Sequence, residues 1–263
     1  MVGSKTSKNR YWFVVSQDNY EDYSSGRVLY GAPGAPNFSV RLISEIFQRC
    51  QEYLNSKGQS GPFVIYDPLC GAGYSLAVLG LLHGTSIKSI FASDIDTTLL
   101  EFANKNLSLL HAGGMDRRID ELNVFIKTYA KQSHRDALES AYRLKDKIRS
   151  HSSIDVRAFH GDILDETILP AFLSGVDIVI TDLPYGKLAS WSGSRDDADP
   201  TKRLLDRLHD RLHRPAMVAV SSHKQQRLEY DADAYREIMT FTLEKRRIIL
   251  LEPTGLRPAT APP

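Results

Sequence analysis

Asp67-Pro68-Leu69-Cys70-Gly71-Ala72-Gly73-Tyr74 is the stretch that decides the fold. Just before it runs Phe63-Val64-Ile65-Tyr66, apolar, β-branched and aromatic, starting after Gly61-Pro62, which reads as a buried strand. Just after it, Ser75 to His83 is apolar and unbroken, with Leu76, Leu79 and Leu82 at helical spacing. Strand, glycine turn and helix form the nucleoside- or phosphate-binding opening of an α/β sheet. Gly71 and Gly73 let the backbone pass close to a ligand with no Cβ in the way. The spacing is not G-x-G-x-x-G, because Leu76 stands where the third glycine belongs, and this argues against a dinucleotide pyrophosphate. Asp67, at the strand end, would repel phosphate and welcome a cation. S-adenosylmethionine, with its sulfonium and ammonium, fits both features. Taken alone, the stretch is equally compatible with a tight strand-to-helix turn that binds nothing.

Outward from this turn, the next strand is Ser89 to Ser93, ending at Asp94-Ile95-Asp96. Asp94 lies about 20 residues beyond the glycines, the separation at which an acid meets ribose hydroxyls. A carboxylate accepts from both vicinal hydroxyls. Asp94 is assigned to the ribose and Asp96 to the cap of a helix from Thr98 to Leu110. Upstream, Val40, Ile43, Phe47, Cys50 and Leu54 make one apolar helix face, capped by Asn37 or Ser39. Residues 1–30 are weakly patterned and read as a partly ordered arm. Residues 111–152 interrupt the strand–helix alternation with a charged helical insertion, an exposed solvated element and, as a group, one candidate surface for an RNA backbone.

Asp155 to His160 reads as the third strand, followed by Gly161-Asp162-Ile163. Asp162 is placed either to accept from an adenine amino group or to cap a helix before Asp165-Glu166. Val176 to Thr181 is the fourth strand, a near-continuous apolar run as expected for one covered on both faces. A polar helix from Lys202 to His213, a fifth strand from Ala216 to Val220, and two closing strands, Met239–Leu243 and Arg247–Leu251, complete the pattern. The fold expected is α/β, a Rossmann-like, doubly wound, mostly parallel seven-stranded sheet with the insertion before its third strand. The expected division is an arm over 1–30, a domain over 31–252 and a loose tail over 253–263.

The fourth strand ends in Asp182-Leu183-Pro184-Tyr185-Gly186. Ligands collect where strand order reverses, which here is between the first and fourth strands. Asp182 can accept a hydrogen bond from a purine amino or ring N–H. Pro184, with its fixed φ, can aim neighbouring carbonyls at the same group. Tyr185 offers a face for a base to stack on. Holding an sp² nitrogen in line with a methyl sulfonium is mostly positioning. A paired base would have to be flipped out to reach such a pocket.

The chain has 263 residues, 25% charged and 42% hydrophobic, ordinary for a globular protein, and no apolar run long enough to span a membrane. The first residues lack a signal-peptide pattern. Cys50 and Cys70 lie in different contexts and give no disulfide framework, which suits a reducing cytoplasm. A net charge of +1 does not announce nucleic-acid binding, so any such binding rests on a local patch. Carbon-5 pyrimidine methylation needs a cysteine nucleophile, and Cys70 sits in the turn, where a small residue suffices. His209 and His213 share a helix face without a third metal ligand.

The order Asp67…Gly71-Ala72-Gly73, Asp94, Asp162, Asp182-Leu183-Pro184-Tyr185 resembles the class I S-adenosylmethionine-dependent methyltransferases, in the branch that modifies nitrogens of nucleic-acid bases. A narrower likeness covers most of the chain. Ala32-Pro33-Gly34, Phe38 to Leu42, Glu45 to Arg49, Val78 to His83, Ala92 to Asp96, Lys105-Asn106-Leu107 and Thr181 to Gly186 are similar to the AviRa family of ribosomal RNA methyltransferases. The first thirty residues and the stretch from Leu188 to Thr201 match poorly. The resemblance implies S-adenosyl-L-methionine as cofactor, a guanine of large-subunit ribosomal RNA as acceptor, and a block to an orthosomycin antibiotic. It places Asp67, Cys70, Gly71, Gly73, Asp94, Asp162 and Asp182 around the cofactor, with Ile95 and Ile163 flanking its adenine, and Asp182, Pro184 and Tyr185 at the base. Lys187, Arg41, Arg49, Lys224, Arg227, Arg246 and Arg247 are expected as a basic rim for RNA. A cytoplasmic monomer acting on ribosomal RNA or a ribosomal subunit is the expected context. Methylation of adenine N6 or a protein glutamine amide, and a non-catalytic RNA-binding module, remain the competing readings.

Overall fold

A computed structural model describes residues 10–16, 18–33, 38–150, 153–165, 171–184, 199–212, 215–226 and 228–255. Seven strands form one sheet: β1 (Phe63–Asp67), β2 (Ile87–Asp94), β3 (Asp155–His160), β4 (Ile178–Asp182), β5 (Met217–His223), β6 (Tyr235–Leu243) and β7 (Arg246–Pro253). Their order is β3-β2-β1-β4-β5-β7-β6. β1 to β5 are parallel neighbours in that order, and β7 runs antiparallel between β5 and β6. The expected doubly wound, mostly parallel sheet is therefore present, with β1 and β4 side by side at the switch point.

Period-two alternation sends side chains to two apolar layers. Ile65, Ile178, Ile180, Met217, Ala219, Ile248 and Leu250 face one layer. Val64, Tyr66, Val179, Val218, Val220, Ile249 and Leu251 face the other. The first layer is covered by α1 (Val40–Ser56), α2 (Tyr74–His83), α3 (Thr97–Ser108), α4 (Ala112–Tyr129) and α5 (Gln132–Arg149). The second is covered by α6 (Pro200–Arg211), through Leu204, Leu205 and Leu208.

Caps set the helix starts. Ser39 caps α1 by accepting from the Leu42 N–H, and Asp96 caps α3 by accepting from Thr98 and Leu99. Asn37, the other cap considered for α1, lies outside the described residues.

Three expectations need correction. From Arg10 on, the described part of the N-terminal segment is not loosely attached. Val28 and Leu29 are fully buried, and the N–H groups of Trp12, Phe13 and Val14 donate to Glu45 at 2.7–3.0 Å. The insertion is not merely a solvated element either. It is a helical hairpin that buries Met115, Ile119, Leu122, Ala137, Ala141 and Leu144 in the first layer. The buried Arg118 donates to the Val28 carbonyl at 2.9 Å, so hairpin and N-terminal segment brace each other. Pro253 belongs to β7, and Thr254 is anchored by the Ala234 carbonyl, while residues 256–263 of the expected tail lie outside the described set.

Candidate active site

The site lies at the carboxyl ends of β1, β2 and β4. The glycine turn folds as it does because its backbone conformation excludes side chains. Gly73 sits at φ +67°, and a Cβ there would meet the Ala103 Cα of α3 at 2.9 Å. Gly71 sits at φ +52°, with open space where a Cβ would point, which leaves its surface available to a ligand. The turn is tied down by its surroundings. The Cys70 N–H donates to the Ser93 carbonyl at 2.9 Å, and the fully buried Asn106 donates to the Ala72 carbonyl at 2.9 Å.

Asp67 and Asp94 flank this turn. Asp94 Oδ2 accepts from the Gly71 N–H at 2.7 Å and Oδ1 from the Asp96 N–H at 2.9 Å, so each oxygen keeps a lone pair for a ribose hydroxyl. Burial pushes the Asp94 carboxyl up, against the pull of those N–H groups. Asp67 is pushed up to about 7, first by burial and then by the negative charges of Asp94 and Asp182, while the Leu69 N–H at 3.0 Å pulls the other way. The crevice thus concentrates negative charge that has too few partners. It disfavours a phosphate-bearing ligand and favours a cation, as the sequence suggests. S-adenosyl-L-methionine, a cation with no phosphate, fits the chemistry of this donor set.

Asp182 supplies the feature that sequence reading missed. Arg246, the first residue of β7, grips its carboxylate with two bonds, Nη1 to Oδ1 and Nη2 to Oδ2, both 2.8 Å. The guanidinium lies over the Phe38 ring, 5.5 Å from its centroid. Burial still outweighs this clamp and holds the Asp182 carboxyl up at about 6. The Leu183 N–H donates to the Ser221 carbonyl at 2.9 Å and Gln226 reaches the Pro184 carbonyl at 3.5 Å, which fixes the turn after the strand. Thr181 Oγ1 and Ser221 Oγ are buried and lack a hydrogen-bond partner among the described residues. Each lies near a carboxylate, Asp67 and Asp182 respectively, and helps to hold it ionised without reaching bonding geometry. Unpaired polar groups of this kind, next to acids with raised pKa values, mark a site arranged for a ligand rather than for stability.

The other expected site residues divide. Ile95 is exposed on the rim beside Asp94, as an adenine-flanking residue should be, whereas Ile163 is buried in the second apolar layer and supports the site from behind. Asp162 accepts from the Leu164 N–H at 2.8 Å and is half-buried. Burial pushes the Cys70 thiol well up, so it is no nucleophile. Tyr185, Lys187 and Arg227 lie outside the described residues. Of the basic rim, Arg246 is committed to Asp182. Arg41 is turned onto the Val14 and Val15 carbonyls and the Tyr11 ring, and Arg49 is buried against Glu45. Their guanidiniums are engaged within the protein because the N-terminal segment covers them. Lys224, just past β5, is exposed. His209 bonds the Thr254 carbonyl, and no metal-binding cluster occurs among the described residues.

The chain as a whole is similar to known proteins. The family model described as the rRNA methyltransferase AviRa matches residues 9–246. The 23S rRNA (guanine(2535)-N(1))-methyltransferase of Streptomyces viridochromogenes is 38% identical over 218 residues, covering 82% of this chain and 86% of that protein. Two solved structures of the rRNA methyltransferase AviRa from Streptomyces viridochromogenes, at 2.4 Å and 1.5 Å, superpose with a TM-score of 0.81 and 34% identity, over 92% of this chain and 96% of theirs.

Proposed function

Since the chain belongs to the AviRa family of rRNA methyltransferases, we infer that it transfers a methyl group from S-adenosyl-L-methionine to guanine N1 of large-subunit ribosomal RNA. The observation that carries this reading is the Asp182 carboxylate, raised to about 6 and held by Arg246 at the mouth of an acid-lined cofactor crevice. Guanine N1 bears a hydrogen that must leave as the methyl arrives. Asp182 is the acceptor: it keeps lone pairs beyond those given to Arg246, and its raised pKa makes it a competent base near neutral pH. The bound cofactor supplies an electrophilic methyl on a positively charged sulfur. S-adenosyl-L-methionine held there would supply the methyl and leave as a neutral thioether, and Asp182 would take the N1 proton.

The remaining residues bind and orient. Asp67 takes the ammonium and Asp94 the ribose, with Cys70 and Gly73 shaping the turn and Asp162 and Ile95 bounding the adenine. Pro184 and Tyr185 receive the base, Tyr185 by stacking. Lys224 meets phosphate at the rim. Because the base must enter an enclosed pocket, the target nucleotide is unpaired or flipped out of its stack. The enzyme acts as a monomer, and the methyl group blocks an orthosomycin site on the large subunit.

The test is transfer of labelled methyl to 23S rRNA and to assembled large subunits, with Asp182→Ala beside the wild type. Label recovered as 1-methylguanosine, and absent in the variant, is the expected result. Label in adenine or in a protein would overturn the acceptor, and failure to bind S-adenosyl-L-methionine would overturn the reaction class. Growth of a sensitive host on avilamycin, with and without the active gene, tests the resistance role.

A further inference from the structure

The charged insertion is two different surfaces. In the stem of the α4–α5 hairpin most cations are engaged: Arg118 pairs with Glu121, Lys145 with Asp116, Arg143 with Asp22 and Arg149 with Asp146, and Lys147 bonds the Tyr23 hydroxyl, whereas Arg117 is exposed. From Asn123 to Arg135 there is no acid at all. Lys127, Lys131 and Arg135 are exposed there, with no acidic partner among the described residues. The same tip carries rings that the core does not use. Phe125 is 37% and Tyr129 59% exposed. His134 lies between them, at 5.6 Å and 5.8 Å centroid to centroid. Its Nδ1 is buried and lacks a hydrogen-bond partner among the described residues. The turn is held in shape by Ala130 at φ +52°, whose carbonyl accepts from Arg135 at 3.4 Å.

Gly114, near the start of α4, abuts Ser108 at the end of α3. Glu121 accepts from the Tyr30 hydroxyl, and the Tyr30 backbone is held by Asn106, which also bonds the glycine turn. At Glu121, therefore, α4 is linked to the cofactor turn through Tyr30 and Asn106. It continues to Tyr129, about 12 Å further at 1.5 Å per residue.

Resting on the rRNA reading above, we propose that this tip is a second RNA contact, an aromatic and basic platform for unpaired nucleotides of the substrate outside the catalytic pocket. Exposed rings flanked by unpaired cations match the chemistry of single-stranded RNA, whose bases stack while its phosphates meet Lys and Arg.

The experiment uses the full chain and a fluorescein-labelled 23S rRNA fragment around the guanine that the Streptomyces relative modifies, read by anisotropy over a salt series. Tyr129→Ala should weaken binding roughly 5- to 100-fold, and Tyr129→Trp should restore it. Lys131→Ala and Arg135→Ala should each reduce the salt slope by about 1. Cofactor affinity and melting temperature should stay at wild-type values, since these side chains lie at the surface. Unchanged affinity and slope, or no RNA binding by the wild type, would overturn the proposal. So would variants that bind free RNA normally yet fail only on assembled subunits, because the tip would then meet a ribosomal protein. Tip-dependent RNA binding without methyl transfer by the wild type would leave this proposal standing and sink the catalytic one.

Discussion

Glu45 and Asp182 are both carboxylates held by an arginine, the first buried and the second half-buried, and the environment of each assigns it a different task. Glu45 is fully enclosed, and its oxygens accept from three backbone N–H groups and from Arg49 Nε at 2.7 Å. Burial alone would raise its pKa, but those four donors together bring it below the ordinary carboxylate value. Asp182 has the same kind of partner in Arg246 but no backbone donor among the described residues, and burial wins, leaving it at about 6. The saturated pair fastens the N-terminal segment to α1. The unsaturated pair keeps acceptor capacity for an incoming group. What separates structure from function here is not the ion pair but how many donors the carboxylate already has.

The comparison predicts opposite outcomes for its two acids. Asp182→Asn should lower kcat by roughly 10²–10⁴-fold, the usual share of a proton-accepting group, with a comparatively small change in urea midpoint. Glu45→Ala should do the reverse. Removing one partner of a buried pair leaves Arg49 uncompensated, at a cost of about 3–5 kcal/mol, visible in urea unfolding, while enzyme that remains folded keeps its kcat. A large stability loss in the first variant, or a kcat defect in folded molecules of the second, would erase the distinction.

Both contrasts were invisible in sequence for the same physical reason. The glycine turn, the Asp96 cap and the bounds of β3 could be read because each is decided by residues within one turn or one strand. The Asp182–Arg246 clamp joins residues 64 apart. It exists only because β7 inserts antiparallel next to β5, which brings its first residue to the carboxyl end of β4. One clue was present: a basic residue opening the last strand, right after the Glu244-Lys245 turn. How the N-terminal segment is fastened was not legible because much of its hold comes from polar bonds to Glu45, Arg41 and Arg49, which leave no apolar periodicity. Likewise, an even mixture of charges in the insertion concealed that its acids all lie in the stem.

Arg246 sharpens the comparison further. Its charge pulls the Asp182 pKa down against burial. In Arg246→Ala that pull is lost, the folded-state pKa rises above about 6, and the acid limb of the kcat profile should move to higher pH. Arg246→Lys should restore most of the limb position, because charge is kept, but not the full rate, because a single ammonium cannot orient both oxygens. If the limb stays in place in Arg246→Ala, the clamp is structural, like Arg49, and Asp182 is not the titrating base.

Asp67 gives the smallest expected effect and shows stability and binding running in opposite directions. Its pKa is about 7 in the folded protein against an ordinary 3.8, so across that window the folded state holds a proton that the unfolded state releases. The ligand-free protein should therefore lose stability as pH rises from about 4 to 7. Asp67→Asn should melt higher than wild type at pH 8, with the gap closing as pH falls. Cofactor binding has the opposite sign, because the ammonium is recognised by the ionised carboxylate. Wild-type affinity should drop about tenfold per pH unit below that pKa, a slope that calorimetry at pH 5.5 to 8 resolves and that Asp67→Asn should lack. A flat wild-type profile would mean that Asp67 shapes the turn through Leu69, as Glu45 shapes the N-terminal segment, and takes no part in holding the ligand.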